Sequence, residues 1–197
     1  FEIDPAEVDK NVKTDVAVMG NVKDTLRNIL PLIEIRTHEA WLKKFHELYD
    51  IEYEEVIRDQ VHANGNGLTM AETIMKLNEL TGGAAVIVTD VGQHQMVACR
   101  YSKFNNSRSK VTSGGRGTMG FALPAAIGAK MGAPEREVIA IMGDGGLQMN
   151  IQELGTVLQT GVPVKIVVLN NQFLGMVRQW QELFFESRYA STVMTNP

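Results

Sequence analysis

The chain is expected to be an α/β protein, a doubly wound and mostly parallel sheet with helices on both faces. Three observations point to it. From Leu68 onward, short apolar runs alternate with helix-like stretches. The runs 84–89, 138–142 and 164–169 are nearly continuous in apolar residues, as strands covered on both faces must be. Turn-forming residues punctuate the ends of these runs: Asp90-Val91-Gly92, Gly143-Asp144-Gly145 and Asn170-Asn171.

Residues 1–66 have a different texture, charged and poor in strands. Asp4-Pro5-Ala6-Glu7 has the form of a helix start, with an N-cap Asp, Pro at the first position and Glu at the third. Val16–Met19 is a candidate strand, Val22 to Leu32 a candidate helix, and Glu34 to Asp59 a helix-like run whose lysines and arginines read as a solvated face. Asn64-Gly65-Asn66-Gly67 marks a turn or boundary. Beyond it, Thr69 and Glu72 form a capping pair for a helix with Ile74, Leu77 and Leu80 on one face, ended by Gly82-Gly83. After strand 84–89 comes a helix through Met96 and Tyr101, then a loop rich in Ser, Asn and Arg. A small-residue helix from Met119 to Met131 precedes strand 138–142. Asn150 and Glu153 are the expected capping pair of the next helix, near Ile151–Gln159. Strand 164–169 and a helix from Gly175 to about Phe184 complete the pattern.

Composition narrows the function classes. With 44% hydrophobic and 21% charged residues the 197-residue chain is ordinary for a globular protein, with room for one full domain and a remnant. A net charge of −4 offers no basic field for nucleic acid or an anionic membrane. No apolar run approaches the roughly 20 residues of a membrane span, and the N-terminus lacks the pattern of a signal peptide. One cysteine, Cys99, excludes an intramolecular disulfide and a cysteine-based zinc site, so a cytoplasmic location is expected. The start at Phe1 suggests a piece of something longer.

The most specific signal is a pair of strand ends. Asp144 lies between glycines at the end of one strand. Asn170-Asn171 ends the next strand, with 24 residues between Gly145 and Asn170, enough for one helix and one strand. Both motifs then share the carboxyl-end rim where open parallel sheets bind ligands. A carboxylate and an amide oxygen are hard ligands suited to Mg²⁺, and the backbone N–H groups of the glycine turn suit phosphate oxygens. Gln93, His94 and Gln95 follow strand 84–89 at the same rim, as phosphate contacts or as ordinary structural hydrogen bonders. Gly115-Arg116-Gly117-Thr118-Met119-Gly120 fits the dinucleotide pattern, but a polar stretch, 108–113, precedes it where a buried first strand belongs, which argues against NAD. Met119 is either a ligand contact or a core residue, and Trp180 either core or substrate wall. No Ser-His-Asp, Cys-His or Walker A arrangement is present.

These motifs and their surroundings resemble the catalytic large subunit of acetohydroxyacid synthase (acetolactate synthase), in the thiamine-diphosphate-dependent superfamily. The resemblance rests on Asp90-Val91-Gly92-Gln93-His94-Gln95-Met96, Ser113-Gly114-Gly115, Gly117-Thr118-Met119-Gly120-Phe121 and Leu123–Ala129, with Gly143-Asp144-Gly145, Met149–Leu154, Asn170-Asn171 and Leu174–Gln181. It implies a diphosphate-binding domain over 67–197, truncated at its C-terminus, and a remnant of the central domain plus linker over 1–66. By that resemblance Asp144, the Asn171 side chain and the Phe173 backbone carbonyl would hold Mg²⁺. Val91, Gly92, Gln93, His94, Gly143, Gly145 and Gly146 would line the diphosphate. Met119 would hold the cofactor bent, and the Gly117 carbonyl would meet its aminopyrimidine. Met176 and Val177 would pack near the thiazolium, with Trp180 and Met176 shaping the substrate pocket.

The implied activity is decarboxylation of pyruvate and transfer of its two-carbon unit to a second 2-keto acid, in branched-chain amino-acid biosynthesis. The resemblance further implies FAD in the parent enzyme through a mostly missing central domain, and a homodimer or higher homo-oligomer. It leaves open a regulatory small subunit. The glutamate that activates the cofactor belongs to a domain with no counterpart here, so no catalytic residue is expected in this piece and acetolactate formation by it alone is not expected. Another carboligase, such as glyoxylate carboligase, and a non-catalytic nucleotide- or metal-binding module are the alternatives. Three positions depart from the family pattern: Gly146 where Ser is frequent, Val97 where an aromatic is common, and Arg116 where a small or apolar residue is usual.

Overall fold

The structure is a computed structural model that describes residues 1–62 and 67–195. It divides into two compact units, Phe1–Asp50 and Ile51–Pro197. The boundary expected at Asn64-Gly65-Asn66 falls outside the described residues.

In the first unit, Asp4 caps a single 3₁₀ turn, Pro5–Glu7, accepting from the Ala6 N–H. Helix α1 (Val22–Ile29) starts where the Asn21 side chain accepts from Lys23 N–H, and it tightens into a 3₁₀ turn at Leu30–Leu32. The expected strand Val16–Met19 does not form; one bridge joins Glu2 to Met19. A short apolar run with no neighbouring strand has nothing to complete its ladder. None of residues 1–50 is buried. Helix α2 (Glu39–Glu52) begins later than the charged run predicts and passes through a π-helical turn, Tyr53–Ile57, into α3 (Arg58–Val61).

The second unit contains the sheet. Helix α4 (Met70–Thr81) opens with the expected capping box: Thr69 Oγ1 accepts from Glu72 N–H at 3.1 Å, and Glu72 accepts from Thr69 N–H at 2.9 Å. Gly82 ends it at φ 56°. Ile74 and Leu77 reach the core, but Leu80 is 73% exposed. Six residues beyond Ile74 is about 240° around the helix, off the buried face. The chain continues through β1 (Val86–Thr89), α5 (Gln93–Tyr101), β2 (Lys110–Thr112), α6 (Ala122–Gly132), β3 (Val138–Gly143), α7 (Asp144–Met149), α8 (Glu153–Thr160), β4 (Lys165–Leu169) and α9 (Gly175–Phe184).

The four strands are parallel in the order β2-β1-β3-β4. Strand alternation splits the core in two. Ile87, Ile139 and Ile141 meet Ala71 and Ile74 of α4 and Ala98 and Tyr101 of α5. Val86, Val88, Val138, Ala140 and Met142 meet Ala122, Leu123 and Ala126 of α6 on the opposite face. The doubly wound architecture is therefore present, with β1 and β3 as its buried centre.

Four local expectations need correction. The polar stretch 108–113 contains β2, an edge strand that needs no continuous apolar run. Strand β4 is not buried on both faces: it is the other edge, and Val168 is 38% exposed. Asn150 does not cap a helix with Glu153. Its amide nitrogen instead donates to the Gly120 carbonyl at 2.7 Å, and α8 begins at Glu153 with no side-chain cap. The small-residue helix likewise starts at Ala122 rather than Met119, because Gly120 sits at φ 82°.

The asymmetry of the sheet predicts unequal costs. Truncating fully buried Ile141 to Ala should cost about 3 kcal/mol in urea unfolding, and Val168→Ala less than about 1 kcal/mol. Equal losses would contradict the burial assigned to β4.

Candidate functional site

Strand order places a switch point between β1 and β3: the chain leaves β1 for β2 on one side, then returns to build β3 and β4 on the other. In such sheets the crevice beyond the carboxyl ends at this point is where ligands bind. A cleft of about 210 Å³ lies in this place. It brings together Val91, Gly92, Gln93, His94, Gly117, Met119, Gly143, Asp144, Gly145, Gly146, Asn171, Phe173, Met176 and Val177. Trp180 is not among its walls. It is 58% exposed and packs on Phe184 with ring centroids 5.0 Å apart, so it is neither core nor cleft wall here. Met70, Leu169, Leu174 and Gly175 also line the cleft and were not among the site residues expected from the sequence. Gly175 carried a signal in retrospect: a Cβ there would collide with the Gln93 side chain and lie 2.7 Å from Asn171 Nδ2.

The cleft is organised around a carboxylate that the sequence reading passed over. Asp90, 1% exposed at the end of β1, accepts from Val91 N–H at 2.7 Å. It also accepts from Gly120 N–H, at 2.9 Å and 3.1 Å to its two oxygens. The carbonyl of Gly120 is held in turn by Asn150, at the end of α7. Asp90 thus ties the 91–94 segment to the 117–120 loop. It also presses on the glycine turn, because a Cβ at Gly146 would lie 2.7 Å from Asp90 Oδ2. Nothing in the structure accounts for Arg116, which is exposed between Gly115 and Gly117.

His94 supplies the polar feature that most needs a partner. Its ring is buried, and Nε2 has no hydrogen-bond partner within the protein. Burial pushes its pKa below the ordinary value. The nearby Asp90 charge, a hydrogen bond to the Asp90 backbone and the Asp144 charge oppose this more weakly. A neutral imidazole with an unsatisfied nitrogen on the cleft wall fits a phosphate oxygen arriving with a proton to share. The first N–H groups of α5, at Gln93 and His94, border the same space.

Among the described residues no three His, Cys, Asp or Glu side chains cluster closely enough to hold a metal by themselves. A cation bound here would need neutral oxygens beside Asp144, and the loop after β4 has residues that could offer them. Asn171 Oδ1 accepts from Phe173 N–H at 3.0 Å, which folds the loop into a tight turn. Phe173 pairs with Val193 in an antiparallel bridge, in which Leu174 N–H donates to the Thr192 carbonyl and Met194 N–H to the Gln172 carbonyl, both at 2.8 Å. In that pattern residues 172 and 174 face the C-terminal segment, so the Phe173 carbonyl turns away from it. Hard oxygen donors from Asp144, Asn171 and Phe173 suit a magnesium ion that also takes phosphate oxygens.

Two measurements follow from this geometry. A serine at Gly146 must displace Asp90, so Gly146→Ser should lower the melting temperature by several degrees and weaken ligand binding in the cleft; a variant as stable as the parent would remove the Asp90 contact from the account. For His94, the unfolded chain takes up a proton near pH 6.5 and the folded chain resists it until lower pH. Stability should therefore be full above about pH 6.5 and fall as the pH drops toward the depressed folded value. Urea unfolding at pH 7.5 and 5.5 should show that loss in the parent and less of it in His94→Gln.

Comparison with known proteins bears on the same residues. The model of the thiamine pyrophosphate enzyme C-terminal TPP binding domain matches residues 90–197. The chain is 45% identical to the acetolactate synthase large subunit of Lactococcus lactis subsp. lactis, over 98% of this chain and 33% of that protein. It is 40% identical to the acetolactate synthase isozyme 3 large subunit of Escherichia coli, over 98% of this chain and 34% of that protein. It is 42% identical to an acetolactate synthase of Mycobacterium bovis, over 97% of this chain and 31% of that protein. The chain spans about a third of the length of the curated relatives it matches. The matched segment begins at Asp90 and takes in β2 to β4, every turn around the cleft and the loop after β4, and on that ground the chain belongs to the thiamine pyrophosphate enzymes, whose C-terminal cofactor-binding domain it carries.

Proposed function

We propose that the chain is the diphosphate-binding portion of an acetohydroxyacid synthase large subunit, and that its cleft holds thiamine diphosphate through Mg²⁺. The observation that carries this reading is the convergence of Asp144, Asn171, Phe173 and the unpartnered His94 Nε2 on one cleft at the switch point. Identities of about 40–45% over nearly the whole chain support the choice of family. A nucleotide- or metal-binding module without catalysis is the weaker reading, since the glycine loop 115–120 follows an edge strand rather than a buried first strand.

In this reading Asp144, the Asn171 amide oxygen and the Phe173 carbonyl hold the cation. Val91, Gly92, Gln93, His94, Gly143, Gly145 and Gly146 receive the diphosphate. Gly117 and Met119 orient the organic part of the cofactor, with Met176 and Val177 closing the apolar side. When bound, the cofactor supplies a nucleophilic carbon able to decarboxylate a 2-keto acid and pass on the two-carbon unit. The role of this chain is to bind, orient and keep the reacting end dry. Pyruvate and a second 2-keto acid are the proposed substrates, in branched-chain amino-acid biosynthesis. The parent enzyme is proposed to be cytoplasmic, homo-oligomeric and FAD-containing, with a regulatory small subunit as a candidate partner. Among the described residues no helix is long and apolar enough to cross a membrane. The activating glutamate belongs to another domain, so this piece alone is expected to bind cofactor without making acetolactate.

Calorimetric titration tests the reading directly. Thiamine diphosphate with Mg²⁺ should bind, NAD should not, and Asp144→Ala should abolish the Mg²⁺-dependent part of the binding. Binding of NAD in preference to thiamine diphosphate, or an Asp144→Ala chain with parental affinity, would overturn it.

A further inference from the structure

The segment after α9 returns along the metal-binding loop in a way the proposed chemistry does not use. Glu186 and Ser187, both at positive φ, reverse the chain. The Gln181 side chain then brackets Ala190, donating to its carbonyl at 3.0 Å and accepting from its N–H at 3.2 Å. Residues 192–194 pair with 172–174, and Met194 ends against the glycine turn, its sulfur 2.9 Å from where a Cβ on Gly145 would stand. The segment is a strap across the loop that carries Asn171 and Phe173.

One side chain joins the strap to that loop from α9. The Arg178 guanidinium lies 4.4 Å from the centroid of the Phe173 ring and 3.9 Å from that of Tyr189. Phe173 belongs to the loop and Tyr189 to the strap. Arg178 forms no salt bridge among the described residues, so the two ring faces are what hold its planar group. Clamping the Phe173 ring fixes the residue whose carbonyl the strap pairing already turns away from itself.

We propose that Arg178 is a positioning residue for the metal site: sandwiched between Phe173 and Tyr189, it locks the strap onto the loop and holds the Phe173 carbonyl in place for the cation. The inference rests on the magnesium-dependent cofactor reading given above. It concerns cation affinity, not the chemistry of the cofactor.

The test is a Mg²⁺ titration of the 197-residue chain in saturating thiamine diphosphate, read by calorimetry, with the melting temperature of the metal-free chain measured alongside. Arg178→Ala and Tyr189→Leu should each raise the half-saturating Mg²⁺ concentration by about five- to tenfold, the worth of one or two ring–cation contacts. Tyr189→Phe, which keeps the ring, should stay within about twofold of the parent, and Arg178→Lys should fall between. Cofactor affinity at saturating Mg²⁺ should recover in all four, which a general loss of folding would not allow. An unmoved midpoint in Arg178→Ala, or the same loss in Tyr189→Phe as in Tyr189→Leu, defeats the proposal. A parent chain that takes up no thiamine diphosphate defeats the functional reading first, and this inference with it.

Discussion

A buried carboxylate at the end of β1 is the constraint on which the cleft depends. Taking Asp90 out of water costs several kcal/mol unless its oxygens find donors, and here the donors are backbone N–H groups of Val91 and Gly120. Gly120 belongs to a different loop, so satisfying the charge fixes where that loop runs. Because Asn150 holds the carbonyl of the same residue, the end of α7 is drawn into the arrangement. The 91–94 segment and the 117–120 loop, both of which border the cleft, are thereby positioned by one carboxylate that neither contains, with the end of α7 tied behind them. Leaving that group unpaired would cost more than any single contact around it, so the arrangement is held by the penalty for breaking it.

The walls of the cleft owe their shape mainly to what is missing from them. At Gly145, Gly146 and Gly175 an added Cβ would run into Leu174, Asp90 or the Gln93 side chain. The main chain can therefore come close to a ligand and present N–H and carbonyl groups, while among the described residues the polar side chains of the wall are those of Gln93, His94, Asp144 and Asn171. Such a site is set before a ligand arrives, which limits the ordering cost of binding.

The parts of the fold that could be read in the sequence were those with local causes. The capping box at Thr69 and Glu72, the glycine stop at Gly82 and the apolar run of β3 each depend on neighbours a few residues away. What could not be read depended on partners far along the chain. Asn150 looked like a cap because its spacing to Glu153 was right, but its amide satisfies Gly120, thirty residues back. Strand β2 looked like polar loop because an edge strand needs little apolar pattern, and β4 looked buried because Ile166 to Leu169 are apolar whether or not something covers them. For the site, the strand-end motifs brought most wall residues to one place. Trp180 shares the side of α9 that carries Met176 but lies a turn further along and outside the cleft, a distance along the helix that periodicity does not give. Asp90 went unweighted because nothing local distinguishes a turn aspartate from a buried hub.

The two edges of the sheet are not equivalent. Strand β2 is three residues long and runs directly into a glycine loop, a short edge of the kind that discourages further pairing. Strand β4 is five residues long, apolar after Lys165 and half open to solvent, with backbone groups along its outer side to satisfy. The domain therefore has a polarity of growth. Any enlargement of this sheet, by more of the same polypeptide or by a second one, belongs on the β4 side, next to the loop proposed to carry the metal.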